Sequence, residues 1–470
     1  MSDLPPQPLP PLPAAGRFSL LHWALLAGLL TGTFGTRIYR LAVPDDLYWD
    51  EIYFGFTVRE ILAGNRSVYD PLATPPPGMA YEWTHPPLGK LIAAGTMALT
   101  PEGEAIMARK SKPGYAVATA QKPQDVWGMR LSSVIFGTVG VALVVLVTFL
   151  LTRSPPAGLL AGLLYATDGL NFVQSRIATT DIHMTAFLLA AVAFYVAWRR
   201  REGASNWLLL GAGVMCGATL SVKWVGVFLI ALLGADLLVL WLVRWRRHDV
   251  RTILAAGVCL VLVPAAIYMA SHIHYFLMGY GWGDFVALQK QMWSYHTGLK
   301  TGHANQARPW QWVLNLRPMW MYVENTYEGG VYTPTAKVIT TANIYNLGNG
   351  VVLYFGLIAV AWTAVRFAWR RAWEGGFLLA AYLIFWVPWI WSPRVMFSYH
   401  YMPSTAFLCV ASGWLLKDLS ASRRAALTWI PWAVPTLAVI WLVVFYPDYA
   451  AVSVPLWWAE KVYFCIPSWR

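Results

Sequence analysis

The chain has 470 residues, of which 57% are hydrophobic and only 12% charged. Soluble domains carry about a quarter of their residues as charges, so this depletion excludes a soluble globular protein and places long apolar runs in lipid. The formal charge of +12 does not point to nucleic acid, because Arg and Lys gather in short stretches between apolar runs, as in cytoplasmic loops.

Residues 1–17 open with a Pro-rich stretch lacking a cleavable signal pattern and are expected to be a disordered cytoplasmic tail. A span needs ~20 mostly apolar residues. About eleven such transmembrane helices follow, near 18–38, 128–151, 157–174, 181–198, 206–222, 224–243, 252–270, 347–365, 375–391, 402–416 and 425–446. The predicted fold class is an all-α polytopic membrane protein, with the transmembrane domain at 18–446 and a C-terminal tail at 447–470.

Cations set the orientation. Arg153, Arg199 to Arg201, Arg244 to Arg251, Arg366 to Arg371, and Lys417 with Arg423 and Arg424 fall in alternate short loops. That is the positive-inside pattern, against which Arg37 and Arg40 are exceptions. It predicts a cytoplasmic N-terminus, an outward-facing C-terminal tail and two long outer segments, 42–127 and 271–346. Residues 86–99, and the run from Trp310 to Tyr322, are expected to be amphipathic surface helices. The 27 Trp and 23 Tyr suit rings at the water–lipid boundary.

Four cysteines are too few and too scattered for a disulfide framework or a zinc site. Cys216, Cys259 and Cys409 read as small hydrophobes, and Cys465 stands in the tail with no evident partner. His272, His274, His296 and His303 show no metal-ligand spacing. No metal site or cofactor is required by the sequence, and a divalent metal stays open.

Threading the helices this way gathers ionisable residues at the outer face. Asp50 and Glu51 follow the first helix, Arg130 opens the second, and Arg176 and Asp181 lie between the third and fourth. Lys223 interrupts an apolar stretch between the fifth and sixth, and Arg394 follows the ninth. Such groups are costly at membrane depth unless paired or wet, which makes them functional candidates. For each arginine alone, the plainer reading is snorkelling to lipid headgroups. Asp168 is a further buried group for which a structural pair with Arg176 or Lys223 is plausible.

An acidic pair ringed by cations suits a lipid-phosphate sugar donor. Fixed cations stabilise the charge on a departing phosphate, which leaves without a general acid. One carboxylate then suffices to take the proton from an attacking hydroxyl, unlike the two required in glycoside hydrolysis. Adjacent Asp50 and Glu51 cannot both point at one atom, so one should act while the other holds a neighbour or backbone. Their spacing does not say which.

Seven motifs carry a family resemblance: Trp49-Asp50-Glu51-Ile52-Tyr53-Phe54-Gly55, Thr84-His85-Pro86-Pro87-Leu88-Gly89-Lys90, Gly128-Met129-Arg130-Leu131, Gln174-Ser175-Arg176 through Asp181, Ser221-Val222-Lys223-Trp224-Val225-Gly226, Tyr345-Asn346-Leu347-Gly348-Asn349, and Tyr399-His400-Tyr401-Met402-Pro403. In this order they resemble the protein O-mannosyltransferases, membrane enzymes of the GT-C fold. The resemblance implies Asp50 as catalytic base assisted by Glu51, with Arg130, Gln174, Arg176 and Lys223 on the donor phosphate. His85, Lys90, Asp181, Asn349, Arg394, Tyr399 and His400 are further substrate-binding candidates. It also implies inverting transfer of mannose from a polyprenyl-phosphate-mannose donor to Ser or Thr of a translocated protein at the outer face of the cell membrane. Implied partners are the lipid donor, secreted or membrane protein acceptors and the translocation machinery, with no nucleic acid. The segment 271–346 is too short for the β-trefoil domain of eukaryotic members, which indicates a bacterial-type member. The alternatives are a related GT-C transferase acting on a lipid or glycan, and a multi-span transporter. The transporter predicts inverted repeats with midplane charges, and neither is evident.

Overall fold

The computed structural model describes residues 16–112, 120–201, 206–243 and 250–469. Most of the expected N-terminal tail, and the inner-loop cations Arg244, Arg246 and Arg247, lie outside the described residues.

Each apolar run of the sequence is helical. α1 (Leu20–Ile38) starts at a Ser19 cap. The first long segment folds into α2 (Phe54–Ala63), α3 (Leu88–Met97) and α4 (Pro101–Lys110). Next come α5 (Val126–Thr152), α6 (Pro155–Thr167), α7 (Gly169–Gln174), α8 (Asp181–Arg200), α9 (Asn206–Val222) and α10 (Gly226–Val243). They are followed by α11 (Val250–Gly257), α12 (Val263–Ser271), α13 (Ile273–Leu277), α14 (Trp282–Gly298) and α15 (Pro309–Val313). A hairpin of β1 (Met319–Tyr327) and β2 (Val338–Asn346) leads into α16 (Gly350–Arg370), α17 (Trp373–Ile384), α18 (Met402–Ser420) and α19 (Ile430–Tyr449). Helices occupy all eleven expected positions, and seven helical stretches among the described residues are long and apolar enough to cross a membrane.

The third expected span is broken. Asp168 leaves the helical region (φ −71°, ψ 129°), ends α6 and caps α7 by accepting the Asn171 N–H at 3.2 Å. Its other oxygen accepts the Asn349 N–H at 3.2 Å. Asn349 in turn caps α16, and its amide donates to the Thr167 and Ala438 carbonyls, both at 3.0 Å. The pair therefore joins α6, α7, α16 and α19. This corrects two expectations: Asp168 pairs with neither Arg176 nor Lys223, and Asn349 is occupied in helix capping.

The main core is formed by α5, α6, α8, α9 and α16 to α18. A second cluster joins α2 and α3 to α13 and α14, and a third joins the hairpin to α7, α19 and the C-terminal segment. α3 does not simply lie on a membrane surface: Gly89, Lys90, Ala93, Ala94 and Met97 are buried, and the helix packs on α2, α5 and α9. α14 is amphipathic, burying Phe285, Leu288 and Met292 and exposing Trp282 and Trp293. The run from Trp310 to Tyr322 is not one helix. It turns at Asn315 (φ 54°) and enters β1, where aromatic and β-branched residues favour a pleated strand. The 447–470 segment packs back, with β3 (Val454–Pro455) pairing antiparallel to β2 and Trp469 buried.

α8 spans the molecule. Its 20 residues rise about 30 Å at 1.5 Å each, from Asp181 at one end to Arg199 and Arg200 at the other. At that basic end Arg199 pairs with Asp236 (3.0 Å), Arg200 with Glu374 (2.7 Å) and Arg366 with Asp418 (2.8 Å).

Gly169 is required by close approach: a Cβ there would stand 2.0 Å from the Leu347 carbonyl oxygen and 2.5 Å from the Tyr449 hydroxyl. Gly169→Ala should cost about 1–3 kcal/mol through overpacking. Thermal unfolding in detergent should show a lowered midpoint relative to Gly28→Ala, where nothing lies within 4 Å.

Candidate active site

The site is built on one buried ion pair. Glu51 and Arg130 are both 0% exposed. Arg130 Nε donates to Glu51 Oε1 at 2.8 Å, and one terminal nitrogen donates to Oε2 at 2.7 Å. The remaining guanidinium hydrogens go to the carbonyls of Leu41 (3.0 Å), Pro44 (2.7 Å) and Asp46 (2.8 Å). Glu51 also accepts the N–H of Ala178 at 2.9 Å and of Tyr48 at 3.4 Å. Every strong bonding direction of both groups is therefore used within the protein. This answers what the spacing left open: Glu51 is the member of the acidic pair that holds its neighbours.

Asp50 is the free member. It lies in a 3₁₀ turn, Trp49–Ile52, entered through Trp49 in the left-handed region (φ 51°), a conformation that costs a non-glycine residue about 1–2 kcal/mol. The Trp49 ring is held edge-on by His303 and Phe397, with centroids 5.2 and 5.5 Å away. The turn sends the Asp50 side chain into a cavity of about 540 Å³.

Of the other candidates, His85, Asp181, Lys223, Arg394 and Tyr399 line this cavity with Asp50. Lys223 Nζ bonds both Asp181 oxygens, at 2.8 and 3.0 Å, and lies 5.3 Å from the Tyr399 ring centre. Desolvation raises the Asp50 carboxyl to about pKa 7, and the negative charges of Asp181 and then Glu82 add to the rise. Lys223 and a hydrogen bond with Tyr399 oppose it. The carboxylate form therefore gains population as pH rises through about 7, and in that form Asp50 is a base suited to neutral conditions.

The expected phosphate cradle of Arg130, Gln174 and Arg176 is not assembled in the cavity. Arg176 reaches the carbonyls of Arg37 (2.5 Å), Tyr39 (2.7 Å) and Arg40 (3.1 Å) at the end of α1. The last carbonyls of a helix have no intrahelical partner, and a guanidinium satisfies several together. Arg37 likewise donates to Ser175 Oγ (2.7 Å) and the Ala166 carbonyl (3.1 Å). Gln174 accepts the Thr179 hydroxyl at 3.0 Å. Lys90 is buried behind the wall, pairing with Glu82 at 2.7 Å and donating to the His85 carbonyl at 2.8 Å. His400 packs between Trp312, Trp389 and Tyr399, off the cavity.

Sequence reasoning missed Glu82, Tyr295 and Phe397 in the lining, where His303, weighed only as a metal ligand, also stands. Glu82 was the most accessible of these, an acidic residue three positions before His85-Pro86-Pro87. His296 was weighed only as a metal ligand. Among the described residues no group of three or more His, Cys, Asp or Glu side chains converges as metal ligands would.

A multi-pass helical membrane protein with a carboxylate-bearing cavity at one end of its helices is the architecture of the GT-C membrane glycosyltransferases. The structure superposes on a Saccharomyces cerevisiae protein O-mannosyltransferase Pmt1-Pmt2 complex bound to the sugar donor with a TM-score of 0.77, at 14% identity, covering 97% of this chain and 93% of that one. ArnT from Cupriavidus metallidurans bound to undecaprenyl phosphate gives 0.55 at 14% identity, covering 94% and 77%. A family model described as dolichyl-phosphate-mannose-protein mannosyltransferase matches residues 78–277, and one for the C-terminal four-span region of protein-O-mannosyltransferase matches 281–463. The polyprenol-phosphate-mannose–protein mannosyltransferase of Mycobacterium tuberculosis is 26% identical across 88% of this chain and 84% of its own length. Its counterpart in Mycolicibacterium smegmatis is 25% identical across 88% and 86%. The chain belongs to the protein O-mannosyltransferase family.

Glu51→Ala would leave Arg130 charged and buried without its partner, which costs about 3–5 kcal/mol. Asp50→Asn removes a desolvated carboxylate whose raised pKa already disfavours the folded state, and should leave the unfolding midpoint at or above the parent's. Unfolding midpoints of the two purified variants against the parent check this contrast.

Proposed function

We propose that the chain moves mannose from a polyprenyl-phosphate-mannose lipid to a Ser or Thr hydroxyl of a translocated protein, with inversion, at the extracytoplasmic face of the cell membrane. The observation that carries this reading is the division of labour within the acidic pair. Glu51 is locked to Arg130, and Asp50, next in the chain, faces the cavity with a carboxyl that ionises near neutrality.

The acceptor hydroxyl gives its proton to Asp50 as its oxygen attacks the anomeric carbon. The bond from that carbon to the donor phosphate breaks, and the phosphate leaves with the bonding electrons. A single displacement of this kind inverts the anomeric centre. Positive charge in the cavity wall stabilises the charge that develops on the leaving group. Opposite ends of α8 carry the cavity and the arginine cluster, and cations favour the cytoplasmic side, so the reading places the cavity outside. The match to named mannosyltransferases over 88% of the chain supports the sugar and the protein acceptor.

Asp50→Asn should lower turnover by about 10²- to 10⁴-fold, the usual contribution of a general base, while donor binding stays near the parent's. The parent's rate should rise with pH to a plateau with a midpoint near 7, and a variant with normal turnover would remove Asp50 as base. Radiolabelled polyprenyl-phosphate mannose offered with a Thr-containing peptide and membrane lipid should label the peptide. Label on the lipid alone would transfer the reading to a lipid-modifying enzyme.

A further inference from the structure

Two Lys or Arg side chains line the cavity, Lys223 and Arg394, and their circumstances differ. Lys223 is neutralised by both oxygens of Asp181. Arg394 makes no ion pair among the described residues, and its partners there are neutral: its Nε donates to the Val395 carbonyl at 3.3 Å, and one terminal nitrogen contacts His296 Nδ1 at 2.6 Å. A guanidinium has five donor hydrogens in a planar fork that matches phosphate oxygens. Two are used here, and three remain on a cation that lines the cavity without an ion-pair partner among the described residues.

The histidine contact has a defined polarity. His296, on α14, bonds the Thr84 carbonyl through Nε2 at 2.8 Å. A carbonyl only accepts, so Nε2 carries the proton, and the Nδ1 lone pair faces the arginine. The His85 ring stacks on His296, with centroids 4.9 Å apart and planes within 20°, and fixes the ring plane. Protonation of His296 would set two donors against each other. Desolvation and then the Arg394 charge hold its pKa down at about 4, so it stays neutral over the working range. Residues 84, 296 and 394, from three distant parts of the chain, thus form one chain of contacts ending at a cation.

We propose that Arg394 binds the phosphate of the polyprenyl donor and that His296, oriented by the Thr84 carbonyl and the His85 ring, is the positioning residue that aims it. This deepens the reading above and rests on it for the identity of the donor. It divides the cavity into an Asp50 side for the acceptor hydroxyl and an Arg394 side for the leaving phosphate, with the Asp181–Lys223 pair as a neutral part of the wall.

The test is binding of polyprenyl phosphate, without sugar, to the full-length protein in detergent, alongside donor and acceptor KM values. Arg394→Gln should weaken polyprenyl phosphate by roughly 10- to 100-fold, the value of a charge-assisted contact, and Arg394→Lys by less. His296→Phe keeps a ring but loses both nitrogens, and should raise the donor KM while the peptide KM stays put. His296→Asn, whose amide oxygen replaces the Nδ1 lone pair, should recover part of that loss. Unfolding midpoints near the parent's establish that the variants are folded. Unchanged polyprenyl phosphate affinity in folded Arg394→Gln overturns the phosphate assignment, and a His296→Phe variant whose donor KM matches the parent's overturns the positioning role. Neither result touches the proposed reaction, which fails separately if the parent transfers no mannose to peptide.

Discussion

The pairing of Arg130 with Glu51 is the constraint on which the site depends. Both groups are withdrawn from water, and such a pair is tolerated only when geometry is good and every remaining donor and acceptor is satisfied. Here the guanidinium collects three carbonyls from the segment after α1, and the carboxylate collects two backbone N–H groups, one of them from the α7–α8 connection. One ion pair thus fixes α5, the first long segment and the start of α8 relative to one another. Asp50 inherits its direction from that arrangement. The left-handed backbone at Trp49 is the strain this geometry accepts to turn one carboxylate inward and its neighbour outward.

The other buried arginines follow the same logic. Arg176 and Arg37 satisfy carbonyls that helix ends leave without partners. Asp168 and Asn349 do the corresponding work for N–H groups at two helix starts. In a bilayer these groups have no water to turn to, so ionic and amide side chains are used as structural fasteners at the helix ends near the site. The charges that remain for chemistry are fewer than the sequence suggested: Asp50, Arg394 and the mutually neutralising Asp181 and Lys223.

Most of the helical architecture was legible, because apolar runs separated by basic loops have few other physical solutions. The family was legible from motifs in order, and Asp50 emerged through its motif. What the sequence could not convey was which buried charges face inward to the protein and which face the cavity. Arg130 and Arg394 look alike as residues beside helix ends, and only the positions of backbone carbonyls separate them. The hairpin at 319–346 was overlooked because its aromatic residues also fit a surface helix. The signal was present in composition, the aromatic and β-branched residues Trp320, Tyr322, Val323, Thr326 and Tyr327 facing Val338, Ile339, Thr340, Thr341, Ile344 and Tyr345. His296 was hidden because its partners, Thr84 and Arg394, are 212 and 98 residues away.

The most direct measurement of the central claim is a structure of the protein with a Thr-containing acceptor peptide and a non-transferable donor analogue bound together. The account predicts the threonine hydroxyl within hydrogen-bond distance of an Asp50 oxygen, with Glu51 still engaged by Arg130. A hydroxyl seated against Asp181 or Glu82 instead, or a Glu51 released from Arg130 to meet the substrate, would contradict it.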